Sequence, residues 1–297
     1  DYIVRSVEEL QKFLLRWTEK KEQLTTSQRI WQMVLPFLIF FLARNIALNV
    51  GAMLLATIGG QMSGGEFLFI RNAQGELESM TGNAAVLVSA FGYAVAGLSV
   101  WNMAKKTIAR TAEDMKLLHI KAEPPRNYCL LAGATVGLAL GLNILLKLAG
   151  TVESSETYQE VAQNQYAAWL PIGLICFGFI APVAEELLFR GVIFGCIRRY
   201  MKLPAAILVS AVFFALYHGN SVQAIYAVAM GYLMAYAYEY FGDFRMALGV
   251  HILANVLTYV LSYVPGVSHL MNWPACIVCL AAGAGCAWAL HKGKKIF

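Results

Sequence analysis

Charged side chains are scarce in this sequence. Asp, Glu, Lys and Arg make up 14% of its 297 residues, against about 25% in soluble domains. Hydrophobic residues make up 59% and the mean hydropathy is +0.57. The apolar residues lie in blocks of about 20 or more, the length that a helix needs to cross hydrocarbon. These proportions exclude an ordinary soluble enzyme and predict an all-α, polytopic transmembrane helix bundle.

Several motifs of membrane-embedded proteases are missing. The chain has three aspartates, Asp1, Asp114 and Asp243, none of them within a span interior, which excludes a membrane aspartyl dyad. It has no His-Glu-x-x-His zinc motif and no Gly-x-Ser-x-Gly or Gly-x-Ser-Gly elbow within a span. Cys276 and Cys279 lack the second pair of a zinc site and lie within an apolar block, so they are interpreted as packing residues.

The hydropathy pattern predicts eight membrane spans. They are preceded by a cytoplasmic arm at 1–30, and the transmembrane domain covers 31–297. The spans lie at 31–59, 84–104, 127–149, 170–198, 203–218, 221–241, 245–263 and 273–291.

The basic residues follow a pattern that predicts the topology. If the eight spans alternate in direction, 19 of the 23 Lys and Arg residues fall at one end of the bundle, and the loops at the other end hold only Arg71. Positive charge is retained on the cytoplasmic side of membranes, so both termini are predicted to be cytoplasmic. The composition favours a bacterial cell membrane. The net charge of +5 follows from this topology and does not indicate nucleic-acid binding.

The arm and the longest loops allow weaker predictions. Ser6 and Glu9 have the spacing of a capping box, and apolar residues recur at helical intervals from Val7 to Trp17. A basic amphipathic helix on the membrane surface and a soluble helix packed on a loop fit this pattern equally well. The loops 60–83 and 150–169 are expected to hold irregular structure.

Ionisable and amide side chains occur inside three of the predicted spans. Such groups are expensive within a bilayer and usually mark a functional site. Residues four apart share a helix face, so Glu186 should face Arg190, and His251 should face Asn255. At a rise of about 1.5 Å per helical residue, these groups should lie at similar depths near the middle of the bilayer. The candidates are Glu185, Glu186 and Arg190 in the fourth span, His218 at the end of the fifth, and His251 and Asn255 in the seventh.

These groups suit the hydrolysis of an amide or ester by an activated water. A Glu and a His that share one water can act as general base and proton shuttle. An imidazole N–H and an Asn amide one turn apart can donate to the oxyanion of a tetrahedral intermediate. The set contains no covalent nucleophile. We predict no cofactor and no metal, although one Glu and two His would in principle suffice to hold zinc.

Three motifs resemble those of a known family. Glu-Glu-x-x-x-Arg at 185–190, Phe-x-x-x-His at 214–218 and His-x-x-x-Asn at 251–255 are similar to the signature of the CAAX protease and bacteriocin-processing enzymes. These enzymes are also called the Abi family of glutamate intramembrane proteases. The resemblance covers about 170–260, roughly a third of the chain, and does not extend to 1–126.

The resemblance implies a mechanism and a substrate class. Glu185 would activate the water together with His218, while His251 and Asn255 would form the oxyanion site. Members of the family cleave prenylated CaaX proteins or process precursor peptides such as bacteriocins. The prenyl-protein enzymes are eight-helix membrane bundles with a cavity that opens to the cytosol. The expected partners are therefore the lipid bilayer and a peptide or lipidated protein substrate, with a leader or precursor peptide favoured for a bacterial protein.

Other interpretations are open at this point. Glu186 and Arg190 would organise the site by resemblance, but their spacing also suits a purely structural ion pair. Arg44 in the first span either lines a substrate cavity or, as we prefer, pairs with a carboxylate. A transporter that uses Glu, His and Arg as a proton relay and a non-catalytic immunity or scaffold protein are the functional alternatives.

Overall fold

The computed structural model describes most of the chain. The described residues are 24–62, 64–116 and 123–293. The predicted amphipathic helix of the arm lies outside them. The first helix begins at Thr26, so 26–30, assigned to the arm from the sequence, are continuous with the first span.

The described part of the chain contains nine helices, one further 3-10 helix (Val267–Leu270) and one two-stranded sheet. Two long connections, one with the hairpin and one with a short helix, separate the first and second and the third and fourth long helices. The helices are α1 (Thr26–Gln61), α2 (Gly82–Lys116), α3 (Pro125–Leu148), α4 (Glu156–Tyr166), α5 (Leu170–Ile197), α6 (Leu203–Tyr217), α7 (Ser221–Phe241), α8 (Phe244–Ser262) and α9 (Trp273–Gly293).

Each of the eight predicted spans coincides with one of these helices, and the all-α polytopic bundle is confirmed. Six helices among the described residues are long and apolar enough to cross a membrane, namely α1, α2, α3, α5, α8 and α9. Helix α6 is apolar but has 15 residues, about 22 Å of helix against a hydrocarbon thickness of about 30 Å. It is therefore too short to cross the hydrocarbon by itself.

Regular structure occurs in both long loops, where irregular structure was expected. Strands β1 (Phe69–Arg71) and β2 (Leu77–Met80) form an antiparallel hairpin. Helix α4 lies in the second loop and begins after Ser155, whose side chain accepts a hydrogen bond from the Tyr158 backbone N–H at 3.3 Å. Local backbone pairing and a polar helix cap stabilise these segments, and neither shows in a hydropathy pattern.

Helix α5 changes its winding along its length. It is α-helical over Leu170–Ile175, Ala181–Glu186 and Gly195–Ile197, and π-helical over Cys176–Ile180 and Leu187–Phe194. π-Helical turns are rare and are frequent at functional sites, and the glutamate pair ends the central α-helical turn. Every residue from 187 to 197 is buried, so the second half of α5 forms the centre of the bundle.

Helices α3 and α9 meet through small residues. Gly133, Gly137 and Gly141 recur every four residues along α3, an arrangement that lets membrane helices approach closely. A Cβ atom added to Gly137 would lie 2.5 Å from the backbone nitrogen of Gly283 in α9. The peripheral helix α9 is thus held by close backbone contact.

Candidate active site

Glu186 forms the centre of a fully buried polar network. Arg190 Nη1 donates to Glu186 Oε1 at 2.6 Å, and neither side chain has exposed surface. Arg190 Nη2 donates to the carbonyl of Gly231 in α7 at 2.9 Å, and the guanidinium carbon lies 4.6 Å from the centre of the Phe214 ring. The two residues face each other as their spacing predicted, and the arginine also joins α5 to α7.

His251 lies between the two glutamates. Its Nδ1 is 2.9 Å from Glu186 Oε1, and its Nε2 is 3.6 Å from Glu185 Oε2. A carboxylate can only accept, so the hydrogen bond to Glu186 places a proton on Nδ1. The distance to Glu185 is longer than a hydrogen bond. His251 is thus hydrogen-bonded to the buried ion pair and lies next to the second carboxylate.

The backbone fixes the orientation of His218. Its Nδ1 lies 2.8 Å from the carbonyl oxygen of Phe214, which accepts the Nδ1 proton and leaves Nε2 as the basic nitrogen. The Phe214 ring makes edge contacts with both imidazoles, at centroid distances of 4.8 Å to His218 and 5.4 Å to His251. One aromatic ring therefore packs against both histidines.

The amide of Asn255 is also held in place. Its Nδ2 donates to the carbonyl of Phe177 at 2.9 Å. Phe177 lies in the first π-helical turn of α5. Because the amide nitrogen carries two hydrogens, this bond leaves one N–H for a further partner.

One cavity of about 440 Å³ brings together four of the six predicted site residues. Its wall includes Glu185, His218, His251 and Asn255. Glu186 and Arg190 do not line it and contact the site through His251 and Phe214. Much of the remaining wall is tyrosine, from Tyr93, Tyr158, Tyr166, Tyr217, Tyr226 and Tyr259.

Arg44 in α1 also lines this cavity. Its guanidinium carbon lies 4.4 Å from the centre of the Tyr93 ring and 5.9 Å from that of Tyr217. Among the described residues no carboxylate lies within 4.0 Å of it, so the preferred pairing with a carboxylate is wrong. The face of an electron-rich ring attracts the cation instead.

Sequence reasoning missed the contribution of α4 to the wall. Six residues at 158–166 line the cavity, although they belong to a connecting loop in the hydropathy pattern. Burial raises the pKa of the Tyr158 hydroxyl, which keeps it a neutral hydrogen-bond donor. The start of this helix could have been predicted from two adjacent residues. Ser155 is a typical N-cap residue, and Glu156 places a negative charge in the first turn.

No group of three or more His, Cys, Asp or Glu side chains in the described part of the chain is arranged to hold a metal ion. The metal-free mechanism stays a prediction.

The fold and this site define an integral, multi-pass membrane protein with a carboxylate and imidazole centre among its helices. Residues 167–257 match the family described as type II CAAX prenyl endopeptidase, Rce1-like. The resemblance predicted from the three motifs is thereby confirmed for the segment that carries them.

A curated relative points in the same direction. The chain is 25% identical over 101 residues to a putative membrane peptidase, YdiL, of Bacillus subtilis (strain 168). That alignment covers 34% of this chain and 41% of the relative. No solved structure matches the chain.

Proposed function

We propose that this protein is an intramembrane endopeptidase that hydrolyses a peptide bond with a water activated by Glu185 and His218. The observation that carries the proposal is the single cavity shared by Glu185, His218, His251 and Asn255. The match of 167–257 to CAAX-type endopeptidases supports it.

The proposed general base has two members. The Glu185 carboxylate and the His218 Nε2 are both acceptors, because Nδ1 of His218 is committed to the Phe214 carbonyl. A water between them loses a proton to this pair as its oxygen bonds to the scissile carbonyl carbon. When the C–N bond breaks, the same proton passes to the departing amine nitrogen.

The proposed oxyanion site uses the second N–H of Asn255 and, when it is protonated, the Nε2–H of His251. His251 is held for this role between two carboxylates, with Nδ1 at 2.9 Å from Glu186 Oε1 and Nε2 at 3.6 Å from Glu185 Oε2. Preorganised donors of this kind stabilise the negative charge that develops in the transition state. Glu186 and Arg190 act as positioning residues, because they hold His251 and do not line the cavity.

The substrate in this proposal is a leader or precursor peptide, or a prenylated CaaX C-terminus. No cofactor takes part. The distribution of basic residues supports a multi-pass protein of the bacterial cell membrane with both termini cytoplasmic.

The test is peptide cleavage by purified protein, with products identified by mass spectrometry with and without chelator. Glu185→Gln and His218→Asn should each lower the rate by about 10²- to 10⁴-fold, the usual contribution of general acid–base catalysis. The matched controls Glu153→Gln and His269→Asn change exposed residues that do not line the cavity and should leave the rate unchanged.

Several results would contradict this proposal. Full activity in both cavity variants would remove the assigned base, and chelator-sensitive activity restored by zinc would replace the metal-free mechanism. Absence of cleavage by the unmodified protein, together with substrate-dependent proton flux in proteoliposomes that both variants lose, would indicate a transporter.

A further inference from the structure

The cavity extends toward one end of the helix bundle and is closed at the other. One end, called the basic end, holds the last residue of α2, the first residue of α3, and the connections 198–202 and 242–243. The opposite end, called the α4 end, holds the β1–β2 hairpin, α4, and the connections 218–220 and 263–272. Lys and Arg cluster at the basic end, whereas the connections at the α4 end carry only Arg71.

The cavity wall reaches the α4 end. His218 directly follows the last residue of α6, and Asn255 lies seven residues, about 10 Å, before the last residue of α8. Ala85 and Ser89 contribute from the start of α2, and Tyr158 from α4 itself. The wall therefore extends from the catalytic groups to the connections at this end.

Buried residues close the cavity at the basic end. The deepest lining residue of α7 is Met234, and every residue from 235 to 241 is buried. The residues of α5 that follow Glu186 are buried as far as 197. Beyond them Arg198 donates two hydrogen bonds of 2.8 Å to the Glu239 carboxylate. Packed side chains and an ion pair thus separate the catalytic groups from the basic end.

Helix α4 is a thin cover over the open end. None of its residues is buried, and its last turn is held by Tyr259 of α8 and by Tyr263, the residue that follows α8. Tyr259 donates to the carbonyl of Gln165 at 3.0 Å, and Tyr263 donates to that of Tyr166 at 3.3 Å. The Tyr166 ring also contacts the rings of Tyr259 and Tyr263, at centroid distances of 5.3 Å and 6.3 Å. This small, partly exposed attachment separates more readily than the apolar core below it.

We propose that substrate enters the catalytic cavity from the α4 end and that this end faces the extracytoplasmic side of the membrane. The orientation follows from the concentration of Lys and Arg at the opposite end. The substrate is then a peptide segment exposed outside the cytoplasm or in the outer half of the bilayer. This inference rests on the proposed peptidase function, and it differs from the cytosolic opening that the family resemblance implied.

The test is cysteine accessibility to a membrane-impermeant maleimide in right-side-out and inverted vesicles. Ser89→Cys reports on the cavity wall, and Ser210→Cys, which is fully buried, is the matched control. Glu160→Cys on α4 and Lys202→Cys at the basic end, both exposed, report which face is outside. All four are made in Cys129→Ser, which removes the exposed native thiol.

We expect Ser89→Cys and Glu160→Cys to react from the right-side-out face, Lys202→Cys from the inverted face, and Ser210→Cys from neither. Reaction of Ser89→Cys from the inverted face alone would overturn the proposal. So would reaction of Glu160→Cys from that face, because the α4 end would then be cytoplasmic.

A second measurement separates this proposal from the peptidase assignment. Sealed right-side-out vesicles should cleave an added peptide, and inverted ones should do so only after permeabilisation. Cleavage in detergent together with the opposite sidedness would refute the entry route and leave the peptidase intact. A lack of cleavage in detergent would refute the peptidase, while the labelling would still decide which end of the cavity is open.

Discussion

Replacing Gly137 by Ala should loosen the attachment of α9 to α3. The added Cβ would lie 2.5 Å from the Gly283 nitrogen, 2.6 Å from the Gly283 Cα and 2.7 Å from the Cys279 carbonyl oxygen. All three are backbone atoms, so no side-chain rotation relieves the clash. Ordinary contact begins at 3.4 Å, and the helices must therefore separate locally by up to about 0.9 Å.

The magnitude follows from this displacement. A gap of about 0.5–1 Å forfeits a quarter to a half of the dispersion energy of each contact, and overpacked sites in proteins cost about 1–3 kcal/mol. Gly283→Ala should cost a similar amount, because its Cβ would lie 2.7 Å from the backbone nitrogen of Leu138. We expect either substitution to lower the free energy of unfolding by about 1–3 kcal/mol.

Gly285→Ala is the matched control on the same helix. A Cβ at Gly285 meets nothing within 4 Å, so this substitution should be neutral or stabilise α9 slightly through helix propensity. Thermal unfolding in detergent can be followed by a thiol-reactive dye, because Cys176 and Cys196 are buried. Equal unfolding temperatures for Gly137→Ala and Gly285→Ala would refute the argument from close helix contact.

Three further substitutions test the site and its surroundings. Arg190→Met should cost about 3–5 kcal/mol of stability, because it removes the cation that is paired with the buried Glu186 carboxylate. Adding Glu186→Gln should recover part of that loss; equal stability of the single and double variants in denaturant unfolding would contradict this. Gly173→Ala should destabilise the protein in a thermal scan, because its Cβ would overlap the hydroxyl of Tyr259; unchanged unfolding would show that the ring can move away. Asn255→Ala should lower kcat by about 10²- to 10³-fold with a smaller effect on KM, and a change in KM alone would assign the amide to substrate binding.

Local patterns were enough to predict the helices and one internal contact. The eight helices that were predicted as spans follow from the apolar runs, since backbone groups in lipid must form their hydrogen bonds within the helix; six of them are long and apolar enough to cross a membrane. The contact of Glu186 with Arg190 at 2.6 Å follows from their four-residue spacing, which depends only on the helix repeat. The same reasoning placed His251 and Asn255 one turn apart, and both line the cavity.

Contacts between helices were beyond the reach of these patterns. The proximity of His251 to Glu186 joins residues 65 positions apart, and it depends on how α8 packs on α5 and on the π-helical turns that flank the glutamates. Arg44 illustrates the limit: its position in an apolar span is evident in the sequence, but its partner Tyr93 lies on another helix.

By itself, the sequence determined a helical membrane bundle with acid, imidazole and amide groups inside it, because periodicity and the low polarity of lipid act on each segment separately. The tertiary structure alone decided that four of these groups share one cavity and that the cavity extends toward α4. Those features depend on the relative rotation and crossing of helices, which the side chains of several distant segments determine together.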